Sequence, residues 1–204
     1  MTPPIPQRLQ TIGWHGGESI TDSQLMVNYY RTTNDGRIAF GKGTALPAYG
    51  SRIGEQFSRD AQCNAWVESE FRRTYPALHD VPIEHAWSGP IDRTYDSLPV
   101  FGTLGPGRNI HYGIGWSGNG VGPSRVGGKI LASLALGRQD AWSQCALVNR
   151  VAKKFPPEPI RHLGARVVRA AVMRKEKAEI GNRAPSSIDV AISKLAPSGL
   201  EDKS

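Results

Sequence analysis

The run Asn109-Ile110-His111-Tyr112-Gly113-Ile114-Gly115-Trp116-Ser117-Gly118-Asn119-Gly120-Val121-Gly122-Pro123 decides how this chain is read. It opens as a short strand, and glycine then recurs at 113, 115, 118, 120 and 122. Beyond it, Val126, Ile130, Leu131 and Leu134 fall on one face of a predicted helix that ends at Gly137, a residue suited to the C′ position. Pro123 belongs to the first turn of that helix, where its missing N–H costs nothing. Backbone N–H groups at such a helix start point outward with partial positive charge, so an anion or an electron-rich heterocycle can bind there.

The residues themselves allow two readings of this turn. Gly113-x-Gly115-x-x-Gly118 matches the dinucleotide fingerprint, which also requires a following parallel strand with an acidic residue. After Gly137, however, the chain continues Arg138-Gln139-Asp140-Ala141-Trp142-Ser143-Gln144-Cys145, which is no buried strand, so a complete βαβ unit is not expected. The plainer reading is that the glycines permit a tight turn and close helix–sheet packing, with Gly127-Gly128 serving the packing.

Two further blocks lie upstream. Asp22 to Gly41 reads "D-x-x-L…Y-Y-R-x-T-x-D-G-R-I-x-F-G", and Trp87-Ser88-Gly89 is followed by Thr94, Asp96, Leu98-Pro99 and Gly102. With Gly115-Trp116-Ser117-Gly118-Asn119-Gly120-Val121, the order and spacing of these blocks give a resemblance from about Thr2 to Gly137. The chain resembles the C-terminal half of the flavin-dependent amine and amino-acid oxidases of the D-amino-acid oxidase/glycine oxidase superfamily. The resemblance implies FAD as cofactor, held at its flavin end by Gly115, Trp116, Ser117, Gly118, Asn119, Gly120 and Val121. Main-chain donors at Gly118, Asn119 and Gly120 would stabilise negative charge developing on the flavin. The family often has His where this chain has Asn119, so no imidazole role carries over. The resemblance also implies an amine or amino-acid substrate, oxidised at a C–N bond by hydride transfer to flavin, with Tyr29, Arg31 and Trp87 as substrate-binding candidates. Arg31 could pair a carboxylate, and Tyr29 could wall the pocket; a surface cross-strand role for Arg31 and a core role for Trp87 are the plainer alternatives. No convincing general base is present, and no catalytic residue is assigned. No cysteine falls between Trp87 and Gly102, so a covalent flavin is not expected by that route. The family's glycine-rich ADP-binding motif has no counterpart here, so the chain reads as a C-terminal portion. The alternative is a non-catalytic binding subunit or remnant paired with a chain that supplies the ADP-binding half.

The expected fold is α+β: an antiparallel substrate-domain sheet with a covering helix (1–104), the last strand and helix of a flavin-binding domain (105–140), and a basic helical extension (141–204). Leu25–Thr33 and Arg37–Gly43 form a hairpin around Asn34-Asp35-Gly36, with Val27, Tyr29 and Arg31 on one face and Met26, Asn28 and Tyr30 on the other. Arg52 to Tyr75 reads as a helix stopped by Pro76, and Val81 to Trp87 as a strand. Met1 to Gly17 starts as a loop, as if entered in mid-domain. Thr94 and Asp96 read as turn-fixing side chains.

The 204 residues carry a net charge of +7. Ten basic and three acidic residues between Arg150 and Arg183 account for the whole excess. No nucleic-acid motif or aromatic interleaving accompanies them, so a solvated helix face is expected rather than a nucleic-acid partner. Phe155 to Pro159 reads as a linker; Leu163 to Ile180 reads as a helix docked on the body through Leu163, Val167, Ala170, Ala171 and Met173. Asn182 to Ser204 reads as a tail with a short helix at Ile188–Leu195. No apolar run has the ~20 residues that span a bilayer, and no signal peptide opens the chain. Cys63 and Cys145 read as reduced thiols of a cytoplasmic protein, and the five histidines show no metal-ligand spacing.

Overall fold

The computed structural model describes residues 1–14, 16–58 and 60–197. His15 and the last part of the expected tail, residues 198–204, lie outside the described residues. Two compact units form among the described residues, 1–90 with 162–194, and 91–161 with 195–197.

The first unit is built on a three-stranded antiparallel sheet of β1 (Ser19–Thr21), β2 (Asn28–Thr32) and β3 (Ile38–Lys42). The β2–β3 hairpin follows its turn residues: Gly36 has φ +80°, and the Thr33 and Arg37 backbones are hydrogen-bonded at 3.0 Å. Strand alternation then buries Met26 and Asn28 and leaves Tyr29 and Arg31 exposed, the division the pattern predicts. Over the buried face, Ile38 joins Leu9, Trp14, Phe71, Leu78 and Val81 in one core, with Tyr30 and Phe40 packed against it.

The covering helix is shorter than its sequence period indicates. Helix α2 runs Ala61–Thr74, because the Asp60 carboxylate accepts the Cys63 N–H at 2.7 Å and caps the helix there. Ile53, read as helical, is 67% exposed in an irregular segment. The N-terminal segment is also more ordered than a loop. Pro6 starts a short helix, α1 (Pro6–Thr11), and Thr2 exchanges two hydrogen bonds with Ile38 at the edge of β3. Residues 81–87, expected as a strand, form none; Pro82 lacks a ladder donor, and Glu84 and His85 donate to the Met1 carbonyl instead.

Helix α4 (Ile160–Ile180) docks on this unit, through a face the hydrophobic pattern shows only in part: Ala171 of the expected stripe is buried, and Ala170 and Met173 are half-buried. Leu163 and Val167 are exposed, whereas Ala171, Val172, Lys175 and Glu176 are buried. The Glu176 carboxylate accepts the buried Met26 N–H at 2.5 Å. Lys42 lies nearby, its ammonium donating to the Met26 carbonyl at 2.6 Å and to Gln24 at 3.1 Å. Burial pushes the Glu176 carboxyl up and the Lys42 amine down, each partly offset by the opposite charge of the other. Arg169 donates to the Thr44 carbonyl at 2.8 Å and faces the Trp66 ring. The basic helix is therefore partly spent on docking and is not a purely solvated face. Replacing Glu176 with Ala leaves the Met26 N–H buried and unpaired, and should cost about 2 kcal/mol. Glu176→Gln, whose carbonyl can still accept, should recover at least half of that; urea unfolding of the two variants checks the difference. Helix α5 (Ser187–Ser193) follows, capped reciprocally by Ser186 and Asp189.

The second unit holds β4 (Val100–Leu104) and β5 (Ile110–Ile114), an antiparallel pair, followed by α3 (Ser124–Ala135). Each glycine in the middle of this pair faces an aromatic ring directly across the ladder. A Cβ on Gly102 would meet Tyr112 at 2.6 Å, and one on Gly113 would meet Phe101 at 2.6 Å. The same device recurs in the first unit, where Tyr29 lies across Gly41. An aromatic side chain thus covers the backbone that a strand glycine exposes.

Helix α3 ends as predicted. Gly137 has φ +62°; its N–H bonds the Leu134 carbonyl at 3.1 Å, and Arg138 N–H bonds Ser133 at 3.0 Å, a Schellman pair. Its buried side is Gly127, Ile130 and Ser133, while Val126 is 45% exposed. Gly127 is indispensable to that packing, since its Cβ would stand 2.4 Å from Trp116 and 3.0 Å from Phe101. Gly128, read as its companion, has open space around it. After α3, Asp140 accepts from Ser133, Trp142 and Ser143 and folds the chain into a turn. The chain then meets β4 in parallel at Val148, and is therefore antiparallel to β5. The parallel return strand of a dinucleotide-binding βαβ unit is thus absent among the described residues.

Candidate functional site

The turn from Gly115 to Gly122 joins β5 to α3 and is shaped by three residues in left-handed backbone, Gly115 (φ +78°), Ser117 (φ +53°) and Gly118 (φ +86°). A residue that sequence reasoning missed, Asp92, holds its first half. The Asp92 carboxylate accepts the Gly115 N–H at 2.5 Å, and its carbonyl accepts the Ser117 N–H at 3.0 Å. Ser117 is buried; its hydroxyl donates to the Gly115 carbonyl at 3.2 Å and accepts the Thr94 N–H at 3.4 Å. The Trp116 indole turns inward, donating to the Gly113 carbonyl at 3.1 Å and meeting Phe101 edge-on with ring centroids 5.5 Å apart. Trp116 and Ser117 thus face the interior of this unit.

The outer half of the turn is different. Asn119 N–H is spent on the Trp116 carbonyl at 2.9 Å. Among the described residues, the N–H groups of Gly118, Gly120, Val121 and Gly122 make no hydrogen bond. They form a short row of donors at the start of α3, where the helix dipole adds to them. Of the three donors expected from the sequence, Gly118 and Gly120 remain available.

A steric test separates the glycines of this turn. Gly115 is required by the fold, because a Cβ there would stand 2.5 Å from Thr94. Gly120 and Gly122 are not: neither has positive φ, a Cβ on Gly120 would make ordinary contacts, and Gly122 meets nothing within 4 Å. Small residues at these two positions leave a bare backbone edge that a flat ring can approach. Val121 beside them is 96% exposed.

In the first unit, Tyr29 and Arg31 share the exposed face of β2, and Trp87 is exposed in the irregular stretch after Val81. Trp87 is therefore not a core tryptophan. A cleft of about 810 Å3 takes in Arg31 with Trp14, Thr32 and Asn34, but neither Tyr29 nor Trp87 lines it. Thr94 and Asp96 do fix turns. The Thr94 hydroxyl donates to the Leu98 carbonyl at 2.9 Å, and Asp96 accepts the Leu98 N–H at 3.2 Å. Asp96 also takes a bidentate pair from Arg150 at 2.7 and 3.0 Å, which holds its carboxyl down at about 2. Arg150 was grouped with the solvated basic run, and no sequence signal distinguishes it. Cys63 and Cys145 are free thiols, and burial pushes Cys63 up. Among the described residues, no helix is long and apolar enough to cross a membrane.

Comparison with known proteins agrees with these blocks. Residues 1–134 match the family model described as FAD dependent oxidoreductase. The chain belongs to the FAD-dependent oxidoreductase family. It is 30% identical over 142 residues to a probable oxidoreductase OrdL of Haemophilus influenzae, covering 70% of this chain and 30% of that protein. A probable oxidoreductase OrdL of Rhizobium meliloti is 36% identical over 123 residues, 60% of this chain and 26% of its own. A gamma-glutamylputrescine oxidoreductase of Escherichia coli is 32% identical over 137 residues, 67% of this chain and 29% of its own. No solved structure matches the chain. The chain thus spans less than a third of the length of these relatives. As a member of an FAD-dependent family, it carries all three sequence blocks within the matched region, whereas Arg150 and α4 lie beyond it.

Proposed function

We propose that this chain is the flavin-facing and substrate-facing portion of an FAD-dependent amine or amino-acid oxidoreductase, without the ADP-binding motif. The observation that carries the reading is the set of N–H groups at Gly118, Gly120, Val121 and Gly122 that make no hydrogen bond among the described residues, with Gly120 and Gly122 not needed by the fold itself. Bound FAD supplies the two-electron acceptor for oxidation of a C–N bond by hydride transfer. The chain's own task is to hold the flavin edge. The Gly118 and Gly120 N–H groups and the α3 dipole stabilise negative charge there without reorganising. Trp116 and Ser117 act from beneath, fixing the turn rather than touching the ring. Arg31, exposed on β2, is available to pair a substrate carboxylate, with Tyr29 offering an aromatic wall on the same strand face. The relative named for gamma-glutamylputrescine supports the amine side of this substrate class. Cytoplasmic location accords with two free thiols.

A second reading is a non-catalytic subunit or remnant that needs a partner chain with the ADP-binding half. It is supported by the apolar surface of the second unit, where Leu98, Leu104, Ile110 and Ile114 are all more than half exposed.

Flavin fluorescence titration tests the proposal. A chain that holds only the isoalloxazine end should bind FAD and riboflavin weakly and with affinities within about threefold of each other, a difference below about 0.7 kcal/mol. Saturable quenching by both ligands is the expected result, followed by bleaching of the bound flavin with an amine under anaerobic conditions. No quenching by either ligand overturns the proposal, and binding without bleaching by any amine or amino acid favours the second reading.

A further inference from the structure

We propose that Asp92 is the positioning residue of the flavin turn, acting through the backbone of Gly115 and Ser117; the inference rests on the flavin reading of that turn. The geometry is specific. Asp92 approaches the turn with two different oxygens, the carboxylate on Gly115 N–H at 2.5 Å and the carbonyl on Ser117 N–H at 3.0 Å. The two donors flank Trp116, so the segment is held at both ends of one residue. With these N–H groups drawn towards Asp92, the backbone passes through left-handed conformations at Gly115, Ser117 and Gly118. Of the N–H groups that follow, Asn119's is held by the Trp116 carbonyl, and those of Gly118, Gly120, Val121 and Gly122 make no hydrogen bond among the described residues. Ser117 carries a side chain in a left-handed conformation that favours glycine. Such a conformation persists only where neighbours over-determine it, and Asp92 with Thr94 supplies those neighbours.

The carboxylate is the replaceable part of this brace, because the carbonyl contact belongs to any residue at position 92. A charged acceptor makes a stronger hydrogen bond than a neutral one, but the geometry asks only for an acceptor at that place. Asn retains one and Ala does not. Asp92 itself is exposed, so truncating it opens no cavity, and folding is not at stake.

Two measurements on this chain test the assignment. Amide hydrogen exchange reads the brace with no ligand present: in Asp92→Ala the Gly115 amide should exchange about tenfold faster than in the wild type, the change that about 1.4 kcal/mol of local opening produces. Asp92→Asn should restore most of the protection. Flavin fluorescence titration reads the consequence, with riboflavin and FAD as ligands; affinity should fall about tenfold in Asp92→Ala and recover in Asp92→Asn, while the melting temperatures of all three stay within a degree or two. Unchanged Gly115 exchange in Asp92→Ala overturns the brace whatever the flavin does. Faster exchange with flavin affinity unchanged shows a bond that orders the turn without positioning anything, and also overturns the proposal. Faster exchange in a chain whose wild type quenches neither flavin removes the flavin reading itself.

Discussion

Phe101→Ala is expected to destabilise the second unit by about 4 kcal/mol, in the range of deleting a large aromatic side chain from a core. Phe101 is 1% exposed. Its ring fills the space left by the missing side chains of Gly113 and Gly127 and meets Trp116 edge-on. Its backbone ties β4 to residues 147–149, accepting from Asn149 at 2.7 Å and donating to Leu147 at 3.0 Å. Because both glycines lie against this ring, neither has a side chain to fill the cavity that its loss would leave. A two-stranded pair is marginal by itself and depends on what packs on it. Unfolding followed by Trp fluorescence reports on this core, since Trp116 loses its ring partner. Phe101→Leu, which refills part of the volume, should cost about half as much. Equal losses in the two variants would mean that the aromatic–glycine packing is not what holds the pair.

What was legible in the sequence was what short-range chemistry dictates. The β2–β3 hairpin follows from Asn34-Asp35-Gly36 between alternating residues, and α3 follows from Pro123 at one end and Gly137 at the other. The strand–turn–helix was recognisable because glycine spacing marks it. Features set by tertiary contact were not legible. α4 buries Lys175 and Glu176 beside Ala171, with the Glu176 carboxylate receiving Met26 N–H, and exposes Leu163 and Val167; an apolar-stripe reading finds Ala171 but misplaces the first two turns. Asp60 caps α2, which begins at Ala61, eight residues after Ile53, the first periodic position; the local cap outweighs the period. Asp92 and Arg150 act on partners 23 and 54 residues away in sequence, and neither position has a local signature. The candidate site divides the same way: its glycines were readable, and the side chains that hold them in place were not.

Gly118→Val should lower flavin affinity at least about 100-fold, a loss of about 2.7 kcal/mol in binding. Two effects act together. Gly118 has φ +86°, where a β-branched residue is strained by about 1–2 kcal/mol or more, so the turn must reorganise around it. The added carbons also stand beside the free Gly118 N–H, with the Cβ 3.4 Å from Ile91. Gly120→Ala separates the two effects. Gly120 has ordinary backbone, and a Cβ there meets Trp116 no closer than 3.5 Å, so stability should not change. If the flavin edge lies over this backbone, one methyl group still obstructs it, and affinity should fall about tenfold, or about 1.4 kcal/mol. Thermal melting and flavin titration on both variants resolve the outcomes. Lost affinity in Gly118→Val with normal affinity in Gly120→Ala would mean that strain alone disables the turn and that the ring lies elsewhere. Unchanged flavin affinity in Gly118→Val would remove the turn from the binding site altogether. Lost affinity in both, with stability lost only in the first, places the ring against Gly118 and Gly120, where the helix dipole can act on it.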